Sequence, residues 1–336
     1  MPAGKRTLSQ WMKFANSLRL RLAIRVSMSA PDLARAEVAK AMDATAGGVL
    51  ESADETVAVS TESGYKNPLG TVNEGWGEVF MGATMESVLV GYNDPRLNKY
   101  YSKAEGGDIK DEKGNLIIAE RNKIAGTYKG VPQGTGVTVK DENRYRLHSK
   151  STITKQTDAI LMTAAEVWFL RAEAALRGFT SENVKDCYEK GITVSCQQWG
   201  VNVGDYLTSD ATPSDYVDAF EAKYDVKALI KVTPKWDGGA SPEEQLERIL
   251  TQKWIACYPE GYEAWTEQRR TGYPQLFKVF VNNSGGAIDT NIRIRRLPYP
   301  SDIQKNNPTQ YSALKKALGG EDNGGTRLWW DTGRNF

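Results

Sequence analysis

Apolar residues at Leu8, Trp11, Met12, Ala15, Leu18, Leu22 and Val26 recur at spacings of three and four, laying one stripe along one face of a helix. Lys13, Arg19, Arg21 and Arg25 stand between them, so the stretch reads as an amphipathic helix and not as the uncharged core of a signal peptide. A second helix is expected from Ser29-Ala30-Pro31-Asp32, with Ser29 as cap, Pro31 in the first turn and Asp32 as the acid of a capping box. Ala34, Val38, Ala41 and Met42 give it a small-residue face for close packing. Together the two form a helical hairpin over 5–46, with apolar surface expected to remain exposed along 8–46.

From 47 to 157 the pattern breaks into glycines, Asn and Asp around short β-prone pieces at 56–60 and 136–139. The aromatic rings in this loop-rich region argue against disorder. Helical periodicity returns at 158. Residues 159–176 are apolar nearly all round, as in a buried helix, and stop at Gly178. A partner helix spans 181–199. Further starts are expected at Thr212-Pro213-Ser214-Asp215 and Ser241-Pro242-Glu243-Glu244, the latter opening a stripe of Leu246, Ile249, Leu250, Trp254 and Cys257. Helix, short turn, helix suggests tetratricopeptide-like pairs over 158–275, without a clean 34-residue repeat. Residues 276–336 return to loops, with Trp329 and Trp330 pinning the tail to the body.

Composition narrows the chemistry. With 336 residues, 43 Lys plus Arg and 42 Asp plus Glu, the chain lacks the basic excess of a nucleic-acid binder. No run approaches the roughly 20 apolar residues of a membrane span. Cys187 and Cys196, about 13 Å apart along one helix, are too far apart to pair, so the three cysteines are expected to be buried thiols. The single histidine, His148, supports no multi-histidine metal site or recognisable triad and is expected to be exposed or capped. The run from Gly130 to Gly136 is no phosphate loop, because the trailing Lys-Ser/Thr is absent and Pro132 removes a donor. No cofactor is expected; a structural calcium is the one ion that oxygen-rich stretches at Asp108–Asp111 and Asp322-Asn323 leave room for, though neither has calcium-loop spacing.

Several segments, in order, carry a resemblance. They are Trp11 to Leu22, Asn93-Asp94-Pro95-Arg96-Leu97, Tyr128 to Gly134, and Met162 to Ala174. After these come Gln252 to Ile255 with Glu260 to Trp265, Arg269 to Pro274, and Arg295 to Pro300. The chain resembles the SusD/RagB nutrient-binding lipoproteins, in particular the SusD-like second branch. The resemblance implies one mainly α domain over 1–336, with tetratricopeptide-like hairpins as scaffold and a loop-built ligand face in 47–157. It implies a lipid-anchored place on the outer membrane, at the cell surface of Bacteroidetes, as a lid over a SusC-like TonB-dependent transporter. Membrane contact would run only through a lipid anchor that this chain does not carry. In the family a signal peptide, a lipidated cysteine and further helices precede the Trp11 segment, and they are expected ahead of it here too.

Sugars present apolar C–H faces to flat rings and hydroxyls to amides, carboxylates or guanidinium groups. The loop region supplies such material in Tyr65, Trp76, Tyr100, Tyr101, Tyr128 and Tyr145, the expected ligand-binding residues, with 98–155 favoured by the resemblance. Asp94-Pro95-Arg96 and Arg269-Arg270 read as structural, the first as an Asp–Arg pair and the second stacked on nearby rings. The expected function is therefore non-enzymatic oligosaccharide capture and delivery to the transporter. Two other readings stay open: a glycoside hydrolase, needing only two carboxylates roughly 5–9.5 Å apart, and a helical-repeat protein scaffold.

Overall fold

The computed structural model describes residues 7–136 and 143–336. The β-prone piece expected at 136–139 lies, from residue 137 onward, outside the described residues. Helix α1 (Leu8–Arg25) opens at Thr7, whose hydroxyl accepts from the Gln10 amide while the Gln10 side chain accepts from the Thr7 N–H. Helix α2 (Pro31–Ala41) packs antiparallel-hairpin fashion on α1, as its small-residue face allows. Its cap is Ala30 and not Ser29, because the Ser29 hydroxyl turns back to the Val26 carbonyl. The most extensive pairing joins α6 (Ala164–Leu176) to α7 (Val184–Gln198), with α8 (Pro242–Ala256) laid against α6. Gly191 makes the close approach: a Cβ there would sit 2.8 Å from the Phe169 ring. The helices enclose one main core that includes Leu20, Ile24, Leu89, Tyr188, Ile249 and Ile255.

Ionic groups fill the seam among α1, α6, α8 and α9 (Gly261–Thr271). Lys253 Nζ lies 3.2 Å from carboxylate oxygens of both Glu263 and Glu267, and Arg270 grips Glu173 through two 2.7 Å bonds. Arg21 reaches from α1 to Glu166 at 2.7 Å. Burial alone would favour a neutral Lys253, but Glu267, Glu263 and Glu166 more than reverse this and raise its pKa. Asp94 and Arg96 form the expected structural pair: Arg96 is fully buried, donates twice to Asp94, and also reaches Ser195 and Gln252.

The region 47–157 wraps the helices and contains more helix than its texture suggests: α3 (Pro68–Trp76), α4 (Ala83–Gly91) and α5 (Leu97–Tyr100). Strand β1 (Val57–Val59) pairs antiparallel with β4 (Ala159–Met162), and β2 (Ile109–Lys110) with β3 (Leu116–Ile118). The apolar run at 159–176 is therefore split. Thr163 caps α6 by accepting from the Glu166 amide, and the residues before it supply the partner that β1 needs. Thr212-Pro213 starts no helix, because Ser214 N–H is taken by the Ser87 carbonyl and Tyr216 bridges to Val226. The C-terminal loops contain two helices that the sequence reading did not mark, α10 (Ser301–Asn306) and α11 (Pro308–Leu318). Asn307 caps α11 with Pro308 in its first turn. Along the first hairpin, Leu8, Trp11, Leu22 and Leu33 are exposed, as expected.

Candidate functional site

The structure separates the six sequence-expected rings. Tyr100 has no exposed surface; its hydroxyl donates to the Ile255 carbonyl at 3.0 Å, and its ring stacks on Tyr258 at 4.4 Å and meets Trp199 edge-on. Tyr145 is sunk in a small second core against His148 and Phe220. Neither can present a face to a ligand, so both are corrected to core residues. Their bulk secures the loop region to the helices. Tyr128 is half-buried against the main core. Tyr101 is 6% exposed, yet it lines a cavity. Tyr65 and Trp76 stand open, Trp76 with 67% of its surface accessible.

Trp76 ends a helix that is fixed along its length. Asn67 caps α3 and donates to the Thr157 carbonyl, while Asn73 donates to the carbonyls of Ser151 and Ile153 at 2.7 and 2.9 Å. Glu74 accepts from the Lys155 amide, and Gly77 terminates the helix at φ 64°, where a side chain would be strained. Gly75 has open space where a Cβ would stand, and Lys150 Nζ lies 4.0 Å from the Cβ position of Gly77. The exposed indole thus has unobstructed flanks with an ammonium group close by. Lys150 in turn lies 3.8 Å from Glu105.

A cavity of about 720 Å³ opens where α8 and α9 meet the loop 276–294. Trp254 comes from α8; Ala264, Trp265 and Gln268 come from successive turns of α9. Phe277, Val279 and Ile294 close the loop side, and Met85 and Tyr101 the opposite side. The Trp265 N–H donates to the Ile294 carbonyl at 3.1 Å, and Arg269 lies 3.7 Å over the Trp265 ring and 5.0 Å from Trp330. Gln268 is only 7% exposed, yet its amide makes no hydrogen bond among the described residues. Sequence reading missed this set. Pattern places Trp254 in a helix stripe and Trp265 in structural stacking, and no local signal ties either to a loop that begins 22 and 11 residues further on.

His148 is neither exposed nor capped. It is buried with no partner on either ring nitrogen among the described residues, and burial, followed by the nearby charge of Lys129, pushes it down to about 3. It is corrected to a neutral core residue. Glu260, at the start of α9, is pushed up to about 7 by burial, with Glu166 and Glu263 adding to the effect and Arg21 opposing it. Among the described residues no group of three His, Cys, Asp or Glu could hold a metal. In the stretches singled out for calcium, the Asp111 carboxylate accepts from Lys113 and Asn115 amides, and Asp322 accepts from Arg296 and the Tyr299 amide. All three cysteines are free and buried.

Paired helices form a scaffold wrapped by loops that leave flat rings open beside polar groups. The family model described as SusD-like, Susd and RagB outer membrane lipoprotein, matches residues 4–331, and the chain belongs to that family. Among solved structures, a SusD homologue from Bacteroides vulgatus is 52% identical, with a TM-score of 0.89, over 98% of this chain and 64% of that one. A chitin-binding SusD homologue from Flavobacterium johnsoniae is 37% identical, with a TM-score of 0.87, over 98% of this chain and 65% of its own. A SusD homologue from Bacteroides thetaiotaomicron is 34% identical, with a TM-score of 0.84 and coverages of 97% and 66%. The chain therefore spans about two thirds of the length of these relatives. No match was found among curated proteins. No helix among the described residues is long and apolar enough to cross a membrane.

Proposed function

We propose that the protein binds an oligosaccharide at the cell surface without cleaving it and passes it to a SusC-like TonB-dependent transporter in the outer membrane. The carrying observation is Trp76: a flat ring, two-thirds exposed, on a helix immobilised by bonds at its cap, its middle and its end. Holding a ring rigidly in water forgoes burial worth about 1.5–3 kcal/mol, a cost that a ligand's apolar face can recover. Lys150, whose ammonium group lies 4.0 Å from the Cβ position of Gly77, the residue after Trp76, supplies a donor for hydroxyls. Family membership and the chitin-binding relative support a carbohydrate as cargo.

Non-catalytic handling fits the acids around the helical seam. Glu166, Glu173, Glu263 and Glu267 are each bonded to a cation in the interior and have no route to a sugar. Titration with N-acetylchitotetraose and a panel of plant and microbial oligosaccharides tests the reading. Saturable binding with intact ligand recovered is expected; release of reducing ends would overturn it. Co-purification of the full-length protein with a TonB-dependent receptor tests the delivery step.

A further inference from the structure

We infer that the cavity between α8, α9 and the loop 276–294 is a second recognition site, separate from the Trp76 surface, for an uncharged sugar ring. For the class of ligand this rests on the carbohydrate reading; the site itself rests on geometry. At about 720 Å³ it lies in the size range of small-molecule pockets, apolar walls with a few convergent polar groups. Two indoles, Trp254 and Trp265, supply flat apolar faces of the kind that a pyranose covers. One of them is braced: the Trp265 N–H is tied to the Ile294 carbonyl, and Arg269 backs its ring.

The polar groups set the ligand's chemistry. Gln268 is 93% buried by its 7% exposure, and its amide is unused among the described residues. Its side-chain oxygen and nitrogen are not sealed from solvent but open to the cavity, so an occupant able both to donate and to accept can take the place of water there. Hydroxyl and acetamido groups do both. The Trp254 N–H and the Tyr101 hydroxyl likewise have no hydrogen-bond partner among the described residues and border the same space. Among the described residues no Asp, Glu or Lys lines the cavity, and the cation that does, Arg293, is occupied, donating to Gln133 Oε1 at 2.8 Å and to the Phe277 carbonyl. An anionic sugar would lose its hydration there and meet no free counter-charge. The site is therefore built for a neutral ring, one carrying no carboxylate or sulfate.

Gln268→Leu and Ala264→Trp test this. Because the Gln268 amide bonds nothing among the described residues, Leu removes the recognition group and leaves the fold intact; Ala264→Trp fills the cavity from its wall. Unchanged near-ultraviolet circular dichroism and melting temperature confirm folding for each. Titration calorimetry and tryptophan fluorescence would use N-acetylchitotetraose as the neutral probe and tetragalacturonate as the acidic one. The expected results are about tenfold weaker neutral-probe binding in Gln268→Leu and loss of the cavity event in Ala264→Trp. That event should persist in Trp76→Ala, and the acidic probe should bind the wild type at least tenfold more weakly. Wild-type isotherms in both α9 variants, with binding lost only in Trp76→Ala, would overturn the cavity assignment alone. Equal affinity for the acidic probe at the cavity would overturn its neutrality. Failure of the wild type to bind either probe would overturn both this site and the capture reading.

Discussion

His148 and Glu260 titrate in opposite senses, and the difference can be measured. The folded protein holds His148 neutral down to about pH 3, whereas in the unfolded chain it binds a proton near 6.5. Between those values the unfolded state binds more protons, so its contribution to stability is present above about 6.5 and is lost as pH falls, at up to roughly 1.4 kcal/mol per pH unit. Glu260 is raised to about 7 from 4.5, so its contribution is complete at low pH and is lost as pH rises through 7. His148→Phe should flatten the acid-side fall in denaturation free energy between pH 6.5 and 5, and Glu260→Gln should steepen it. The same slope in wild type and His148→Phe would contradict this burial argument. Arg96 gives a larger effect. Its fully buried guanidinium neutralises Asp94 and holds Ser195 and Gln252, so Arg96→Met, leaving Asp94 unpaired, should cost about 3–5 kcal/mol in chemical denaturation.

At the scale of elements, α3 and α9 each join scaffold to surface. Asn73→Ala removes the two side-chain hydrogen bonds that hold α3 to the segment 151–153. Stability should fall by about 1–3 kcal/mol, and glycan affinity should fall severalfold although Trp76 itself is unchanged, as read by calorimetry alongside denaturation. Affinity that stays at the wild-type value would show that rigid presentation of the ring is irrelevant. Helix α9 turns Glu263, Glu267 and Arg270 into the ionic seam and Trp265 and Gln268 toward the cavity. Helical texture over 158–275 was legible from sequence, without a separate helix marked at 261–271; the cavity face was not, because that face exists only where the loop 276–294 comes back over it. The capping box of Ser241 and Glu244 was equally legible, since both partners lie within one turn. By contrast, β4 was hidden inside an apolar run, because whether such residues coil or extend depended on β1, about a hundred positions earlier. Helices α10 and α11 went unmarked for lack of a strong apolar stripe: none of their residues is buried.

For the whole molecule, the first hairpin and the helices α6, α7 and α8 followed from local pattern, while the short helices of 47–157 and 276–336 and the exposure of individual rings did not. Tyr100 and Tyr101 are adjacent; one is sealed against Tyr258 and Trp199, the other borders a cavity. A loop's texture cannot distinguish those fates, since each depends on helices contributed by the second half of the chain. The resulting body has a cluster of ion pairs buried in its helical seam and open rings, Trp76 among them, on its surface. Its family places it among outer-membrane lipoproteins. The most direct test is calorimetric titration of the wild type and Trp76→Ala with N-acetylchitotetraose and the wider oligosaccharide panel, followed by chromatography of the recovered sugar. Saturable wild-type binding, sugar returned uncut, and affinity at the Trp76 surface at least tenfold lower in Trp76→Ala, with the cavity event retained, are the expected results. Absence of binding across the panel, or shortened sugars in the recovered pool, would contradict the account.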